Sequence, residues 1–226
     1  MKFGLVSARE AYHAIREGNG PNDTLLSQLY WREFYYHLTY HKPELLEGQI
    51  GLENQPLRQR MKTVKWREAG GPHWEAWCKG NTGNPFVDAG MRQMLQTGEM
   101  HNRVRMIVAM YLTKNLLIHW KHGERILAKN LIDYDPCQNS GGWQFSASVG
   151  TDTQPYRIFN IWTQLKRFDP QCHYVKTWIP EIQSIPAKDL MEWEKNWRRY
   201  PDKYIKPIVP HTETAREAKS MLKQEI

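Results

Sequence analysis

The sequence has few cysteines, no long apolar run and no segment with sustained strand alternation. Its three cysteines, Cys78, Cys137 and Cys172, lie far apart, which indicates neither a disulfide framework nor a zinc site. The first residues lack the apolar stretch of a signal peptide, and the most apolar stretch, residues 106–120, is interrupted by Lys114. We therefore expect an intracellular protein without a membrane span, located in the cytoplasm or the nucleus.

Several signatures of catalysis are missing as well. The chain has no glycine-rich phosphate loop, no Ser-His-Asp order and no cysteine-nucleophile motif. Two histidine pairs have helical spacing for a metal: His37 with His41, and His119 with His122. Neither pair brings an obvious third ligand, so we expect solvated or core histidines and no metal centre.

The chain does have enough apolar material for one core, and an excess of positive charge. Its 226 residues are 40% hydrophobic, which predicts a single domain over residues 1–226, although the length also leaves room for a second, small one. A net charge of +7 favours polyanions such as nucleic acid or an acidic membrane face. Ten tryptophans stand where a chain of this length ordinarily holds about three. Core packing explains most of them, but the surplus indicates that some indoles have an electronic role.

Helical patterns begin near the N-terminus. Residues 7–10 have the form of a capping box, and residues 18–21 are typical of the turn that ends a short helix. From Thr24 to His41 there is no Gly or Pro, which predicts a long second helix. One face of that helix combines hydrogen-bonding, stacking and cationic groups: Gln28, Trp31, Arg32 and Tyr35.

The rest of the chain also predicts helices and turns. Asn84 and Pro85 start a helix that Gly98 ends, residues 101–119 predict another, and Gly123 with a loop over residues 133–142 bounds a further one. Repeated prolines in the last third indicate short helices joined by rigid turns. The predicted fold class is all-α and multi-helical.

Two polar segments are candidates for ligand binding. Residues 100–106 place two arginines and an amide near a helix start, which suits a phosphate or a polar ring edge. An ordinary solvated helix start with a salt bridge explains the same residues. Residues 133–143 are rich in glycine and carboxylates, a composition for wrapping a polar ligand closely. That segment could equally be a metal loop or a plain connection.

Taken together, the motifs follow one another in an order that resembles DNA photolyases and cryptochromes. The segments that carry the resemblance are residues 31–35, 80–85, 87–89, 100–106, 120 with 123–125, 139–143, 150–152 and 157–160. They are closest to those of enzymes that split cyclobutane pyrimidine dimers with light. The resemblance covers nearly the whole chain and implies the helical FAD-binding domain of that family, with a cavity above the flavin for a flipped-out dimer.

The resemblance also implies roles for individual residues. The implied FAD-binding residues are Arg32, Arg105, Asp133, Tyr134, Asp135 and Asn139, with Asn139 near the flavin N5. The implied DNA and dimer contacts are Gln28, Trp31, Arg32, Tyr35, Asn102, Arg103, Met106, Phe145 and Gln164. Catalytic roles fall to Gln28 and Asn139 and to the electron-transfer tryptophans Trp66, Trp120 and Trp143.

The sequence departs from the family pattern in several places. The α/β domain that family members carry first, and the stretch that grips the FAD phosphates, are absent from it, so we expect weakened FAD binding. Gln28 stands where dimer-splitting enzymes carry glutamate and is similar to the glutamine of (6-4) photolyases, although the (6-4) histidine pair is missing. Phe145 replaces a tryptophan, and residues 152–157 are one residue short before Arg157.

Three functional hypotheses follow from the resemblance. The first is a light-driven lyase that acts on DNA containing pyrimidine dimers, as a monomer. The second is a cryptochrome-like photoreceptor or a DNA-binding module without catalysis, which Gln28 favours. The third is one half of a split photolyase whose N-terminal half is encoded separately.

Overall fold

The computed structural model of the chain describes residues 1–46, 65–151 and 157–223, with only the backbone for residues 222 and 223. These ranges contain helices and turns but no strand, and one isolated bridge joins Arg67 to Ile118. The all-α prediction is confirmed. The α-helices are α1 (Ala8–Asn19), α2 (Thr24–His41), α3 (Gly71–Lys79), α4 (Pro85–Thr97), α5 (Asn102–Met110), α6 (Trp120–Asn130), α7 (Pro136–Ala147), α8 (Ile161–Phe168), α9 (His173–Trp178), α10 (Ala187–Leu190), α11 (Trp193–Asn196) and α12 (His211–Lys223).

Shorter helical turns complete the architecture. Segments of 3₁₀-helix lie at Pro43–Leu45, Pro180–Ile182 and Trp197–Arg199, and a π-helical segment at Tyr111–Asn115 continues from α5. No helix in the described ranges is both long and apolar enough to cross a membrane.

The helix-boundary signals of the sequence are confirmed for three helices. Ser7 accepts a hydrogen bond from the Glu10 backbone nitrogen at 3.1 Å, and the Glu10 carboxylate accepts one from the Ser7 nitrogen at 2.7 Å, so α1 begins with a complete capping box. Helix α2 has the predicted bounds. Helix α4 follows Asn84, whose side chain accepts from the third residue of the helix, and stops at Gly98 in the left-handed region.

The prediction of one helix over residues 101–119 is wrong. Helix α5 ends at Met110, the π-helical segment follows, and the chain then leaves the helix with Leu117 at a φ of 54°. Backbone pairing with an earlier segment explains the departure: the Arg67 nitrogen donates to the Leu117 carbonyl at 2.7 Å, and the His119 nitrogen donates to the Arg67 carbonyl at 3.0 Å. These hydrogen bonds replace the ones that a continuing helix would make.

Glycine misled two further predictions. Gly123 lies inside α6 rather than at its boundary, because a Cβ there would overlap the indole ring of Trp143. The predicted loop over residues 133–142 becomes helix α7 from Pro136 onward, since Asp135 caps the helix by accepting from the Gln138 nitrogen at 3.0 Å. Within α7, Gly141 lets the ring of Tyr35 pack directly on the helix backbone.

Buried polar groups tie the later part of the chain to the core. Asp88, fully buried on α4, accepts hydrogen bonds from the Thr82 and Gly83 nitrogens at 2.7 and 2.9 Å and from the Tyr204 hydroxyl. Burial raises the pKa of Asp88, and these donors oppose that rise. The side-chain nitrogen of Asn115 similarly contacts Nδ1 of His211 at 3.0 Å, which docks α12 on the π-helical segment.

The π-helical segment also supports the end of α7. Lys114, which is 1% exposed, donates from Nζ to the Ala147 carbonyl at 2.9 Å and to the Ser148 hydroxyl at 3.0 Å. A cation is favourable at the C-terminus of a helix, where unpaired carbonyls carry partial negative charge. Lys114 therefore helps to fix α7, the helix that carries Trp143 and Ser146.

Candidate functional site

A pocket of about 430 Å³ opens between α2, α5, α7 and the segment 133–135. This volume is in the range of small-molecule and cofactor sites. Its lining residues are Gln28, Trp31, Tyr35, Asn102, Arg103, Arg105, Met106, Ala109, Leu127, Leu131, Asp133, Tyr134, Asp135, Gln138, Asn139, Gly142, Trp143, Phe145 and Ser146. The structure thus brings together thirteen of the residues proposed from the sequence; the role of each stays a prediction.

Exposure divides the pocket into a floor and a rim. Trp143 and Ser146 on α7, with Ala109 on α5, are buried and form the floor. Gln28 and Trp31 are exposed at the rim, where the indole of Trp31 remains 49% accessible. The floor can exclude water from a flat ring, whereas the rim can meet a larger ligand that arrives from solution.

An ion pair fixes one wall. Nη2 of Arg105 lies 3.0 and 2.8 Å from the two carboxylate oxygens of Asp133, and Nε of the same arginine donates to the Met100 carbonyl at 2.7 Å. The pair joins the start of α5 to the segment before α7. Its charged groups line the pocket and can serve polar atoms of a ligand.

Asp135 is positioned by a neighbour that the sequence did not reveal. The hydroxyl of Tyr36 donates to its Oδ2, while its Oδ1 caps α7. Burial, and next the Asp135 carboxylate, raise the pKa of Tyr36 to about 12. Arg32 does not line the pocket; its guanidinium lies 4.4 Å from the Tyr36 ring centroid, and it pairs with Glu33.

Asn139 is held in one orientation. Its side-chain nitrogen donates to the Glu124 carboxylate at 2.7 Å and to the Glu124 carbonyl at 3.2 Å. Both acceptors belong to Glu124 on α6, which packs beside α7. The Asn139 amide therefore meets the pocket with a fixed orientation before a ligand binds.

Aromatic rings pack against two of the pocket-lining residues, Trp31 and Arg103. Trp31 packs on Tyr35 with ring centroids 6.1 Å apart. Arg103 lies over the exposed ring of Phe168, 4.8 Å from its centroid, and 5.8 Å from that of Phe159. Such a combination of stacking faces and cations is typical of nucleic-acid surfaces.

Besides Arg32, three predicted residues lie outside the pocket lining. Gln164 is on α8, and its buried Oε1 has no hydrogen-bond partner within the described ranges. Trp66 and Trp120 are connected through His119, whose ring centroid lies 5.8 Å from the first and 5.9 Å from the second. The predicted shortening before Arg157 falls on residues 152–156, outside the described residues.

Sequence reasoning gave no individual role to several residues of the site. Gln138 and Gly142, from the candidate segment 133–143, line the pocket; Glu124, from the motif at 123–125, orients Asn139, and Tyr36 holds Asp135. The helical spacing of Tyr36 from Arg32 was a usable signal, since residues four apart share a helix face. Elsewhere in the described ranges, no group of three or more His, Cys, Asp or Glu side chains could hold a metal ion.

Comparisons with known proteins point to one family. A family model described as the FAD binding domain of DNA photolyase matches residues 25–224. The chain is 41% identical to a deoxyribodipyrimidine photo-lyase of Alkalihalophilus pseudofirmus over 99% of its own length and 47% of that protein. It therefore spans about half the length of the curated relatives it matches.

Solved structures share the fold. An archaeal photolyase from Sulfolobus tokodaii, solved with two FAD molecules, is 36% identical with a TM-score of 0.84 over 98% of this chain and 48% of that one. A Synechocystis cryptochrome is 30% identical with a TM-score of 0.83 over 97% of this chain and 47% of that one.

Proposed function

Because this chain belongs to the family of the FAD-binding domain of DNA photolyase, we propose that it binds FAD and uses light to split pyrimidine dimers in DNA. The observation that carries the proposal is the pocket with a buried aromatic floor and an exposed aromatic and cationic rim. A floor of this kind suits a flavin ring, and a rim of this kind suits a damaged base pair extruded from a duplex.

The pocket fits a flavin on three observations. A Cβ on Gly142 would meet nothing within 4 Å, so a flat ring can approach the α7 backbone there. The indole nitrogen of Trp143 is buried without a hydrogen-bond partner among the described residues. Arg105 and Asp133 add charged groups at the wall, and Asn139 adds an oriented amide. We assign the flavin contacts to these residues with Tyr134 and Asp135.

When bound, the flavin supplies the light-driven one-electron chemistry. The protein contributes binding and orientation. Trp31 offers a face on which a base can stack, and Arg103 offers a cation for the phosphate backbone. Gln28 offers an amide that can donate to a base carbonyl at any physiological pH. Asn102, Met106 and Phe145 close the sides of the same space.

Tryptophans of this chain are proposed to supply the electrons that reduce the flavin. Trp143 lines the pocket floor, and we propose that Trp120 and then Trp66 return electrons to it. Indoles can be oxidised one electron at a time, and successive short hops outrun one long transfer. The ring of His119 stacks on Trp120 and contacts Trp66, so this end of the path is closely packed.

The test is dimer splitting by the purified protein. We expect an oligonucleotide with one cyclobutane thymine dimer to be repaired when the protein holds chemically reduced FAD and is illuminated. The same sample kept in the dark is the control. No repair in the light, with flavin bound, would rule out the lyase function.

A photoreceptor is the second candidate, because Gln28 lies at the rim and a cryptochrome shares the fold. That function needs flavin binding and light-induced electron transfer but no repair. The same assay decides between them: flavin photochemistry without dimer splitting supports the photoreceptor. We further propose that the chain is monomeric and acts with an N-terminal α/β half, in the cytoplasm or the nucleus; sedimentation of the purified protein tests the first point.

A further inference from the structure

Trp143 is in ring contact with a second, fully buried tryptophan. The ring centroids of Trp143 and Trp77 on α3 lie 6.2 Å apart, with the planes at 72°. Trp77 stacks on Trp74, one helical turn earlier, at 5.6 Å and 19°. Trp74 is partly exposed. These three indoles form a continuous aromatic path from the pocket floor to the surface.

We propose that Trp77 and Trp74 are a second electron path to Trp143, parallel to the path through Trp120 and Trp66. The inference rests on the proposed function, because the acceptor of the first electron is the light-excited flavin. Within the described residues, the closest tryptophan ring contact of Trp143 is with Trp77. Electron transfer slows steeply with distance, so ring contact favours this branch.

Electrons move along this path one at a time, and each oxidised indole is reduced by the next group outward. With FAD bound and illuminated, one electron would leave Trp143 for the flavin, and one from Trp77 would refill Trp143. Trp74 then refills Trp77, which moves the oxidised site to the protein surface. A thiol in solution supplies the last electron to Trp74. The thiol proton goes to water, and two oxidised thiols join as a disulfide.

Hydrogen bonding favours transfer over trapping at the two inner indoles. An oxidised indole is a strong N–H acid, and loss of its proton would hold the oxidised site in place. The nitrogen of Trp143 has no hydrogen-bond partner within the described part of the chain. The nitrogen of Trp77 donates to the Val108 carbonyl at 3.2 Å, and a carbonyl is too weak a base to remove the proton. Trp74, being partly exposed, can release its proton to water.

The test compares Trp66→Phe, Trp74→Phe and the double variant, each loaded with FAD and illuminated with dithiothreitol. Phenylalanine keeps much of the packing but is far harder to oxidise. We expect Trp66→Phe to keep measurable photoreduction, and the double variant to lose about tenfold more. Trp197→Phe, a partly exposed tryptophan packed under Arg198, is the control and should match the wild type.

A second readout locates the oxidised site without measuring activity. Peptide mapping by mass spectrometry after long illumination without thiol should find oxidation products on Trp74, more of them in Trp66→Phe. Equal photoreduction in Trp66→Phe and the double variant, or an unoxidised Trp74 in Trp66→Phe, would overturn the second path. Dimer splitting by chemically reduced protein does not need either path. If dimer splitting fails while the photoreduction results are as expected, the lyase function alone is overturned; a protein that binds no flavin overturns both.

Discussion

The side-chain nitrogen of Asn139 donates to the Glu124 carboxylate at 2.7 Å, across the contact between α7 and α6. Asn139 lines the pocket and Glu124 does not, so a change of Glu124 tests whether the orientation of the Asn139 amide affects flavin binding. Glu124→Ala should weaken FAD binding about tenfold, or about 1.4 kcal/mol, because the amide loses a charged partner.

Flavin fluorescence titration measures this affinity. The matched control is Glu68→Ala, since Glu68 also accepts a bond from α6, from Nε2 of His122 at 2.8 Å, but away from the pocket. Unchanged affinity in Glu124→Ala, together with an unchanged flavin reduction potential, would contradict a positioning role for Glu124.

Two glycines give a matched pair of variants with opposite outcomes. A Cβ on Gly123 would overlap the Trp143 ring and approach Cδ2 of Leu112 to 2.6 Å, so Gly123→Ala should cost about 1–3 kcal/mol of unfolding free energy. The added methyl group of Gly142→Ala meets open space, so this variant should stabilise the helix by roughly 0.5–1 kcal/mol.

The methyl group of Gly142→Ala also stands in the pocket and should lower FAD affinity at least about tenfold. Urea unfolding and flavin titration of both variants check this; a tight-binding Gly142→Ala would place the flavin elsewhere.

Arg103 and Trp31 should differ in what they contribute to DNA binding. Arg103→Ala should weaken damaged and undamaged DNA alike and reduce the salt dependence, because fewer counterions are released. Trp31→Ala should mainly remove the preference for damaged DNA, since a stacking face is lost. Arg198→Ala is the control: that arginine packs on the Trp197 ring at 4.6 Å, outside the pocket. Full discrimination by Trp31→Ala in a fluorescence anisotropy assay would show that the rim is not the dimer site.

Gln28→Glu should raise the repair yield. A glutamate that is protonated or well hydrogen-bonded can stabilise charge that arrives on a thymine carbonyl. We expect an increase of less than about tenfold, or about 1.4 kcal/mol of barrier, with FAD affinity unchanged. Repair is measured on a dimer-containing oligonucleotide with reduced flavin in the light. A lower yield in the variant would mean that the amide donor is the better group.

His211 should make the stability depend on pH. Burial lowers its pKa from 6.5 to about 4, so the unfolded chain takes up a proton at a higher pH than the folded chain does. His211 costs no stability above about pH 6.5. As the pH drops from there toward 4, protonation of this residue in the unfolded chain lowers the free energy of unfolding by at most about 3 kcal/mol. His211→Asn keeps an acceptor for Asn115 but cannot be protonated in this range. Urea unfolding between pH 7 and 4 should therefore show a weaker pH dependence in the variant; equal slopes would contradict the assignment.

Helix boundaries were predictable wherever the signal is local. The capping box at Ser7 and the Asn84 cap with Gly98 act within one helical turn, so the sequence alone shows them. The end of α5 was not predictable, because it depends on pairing with Arg67, many residues earlier. Glycine was misread for the same reason: whether Gly123 breaks a helix or admits Trp143 depends on the neighbouring helix.

The sequence predicted most residues that line the pocket but not the residues that hold them in position. The predicted residues of α2, α5 and α7 converge, as the ordered motifs indicated. Their supporting contacts come from Glu124 and Tyr36, and neither the motif at 123–125 nor the helical pattern of α2 shows which side chains these two residues hold. Trp77 and Trp74 were visible only as part of the tryptophan surplus, since ring contact between α3 and α7 depends on tertiary packing.

The hydrogen bond from Tyr204 to Asp88 has a consequence for synthesis of the protein. The two residues are 116 positions apart, and a ribosome delivers them in that order. Until the tyrosine emerges, the buried Asp88 carboxylate lacks one of its donors, so closing the core around α4 costs more free energy in the nascent chain than in the complete one. A message truncated before Tyr204 should therefore yield a less stable product, which the quality-control machinery of the cell can recognise and remove.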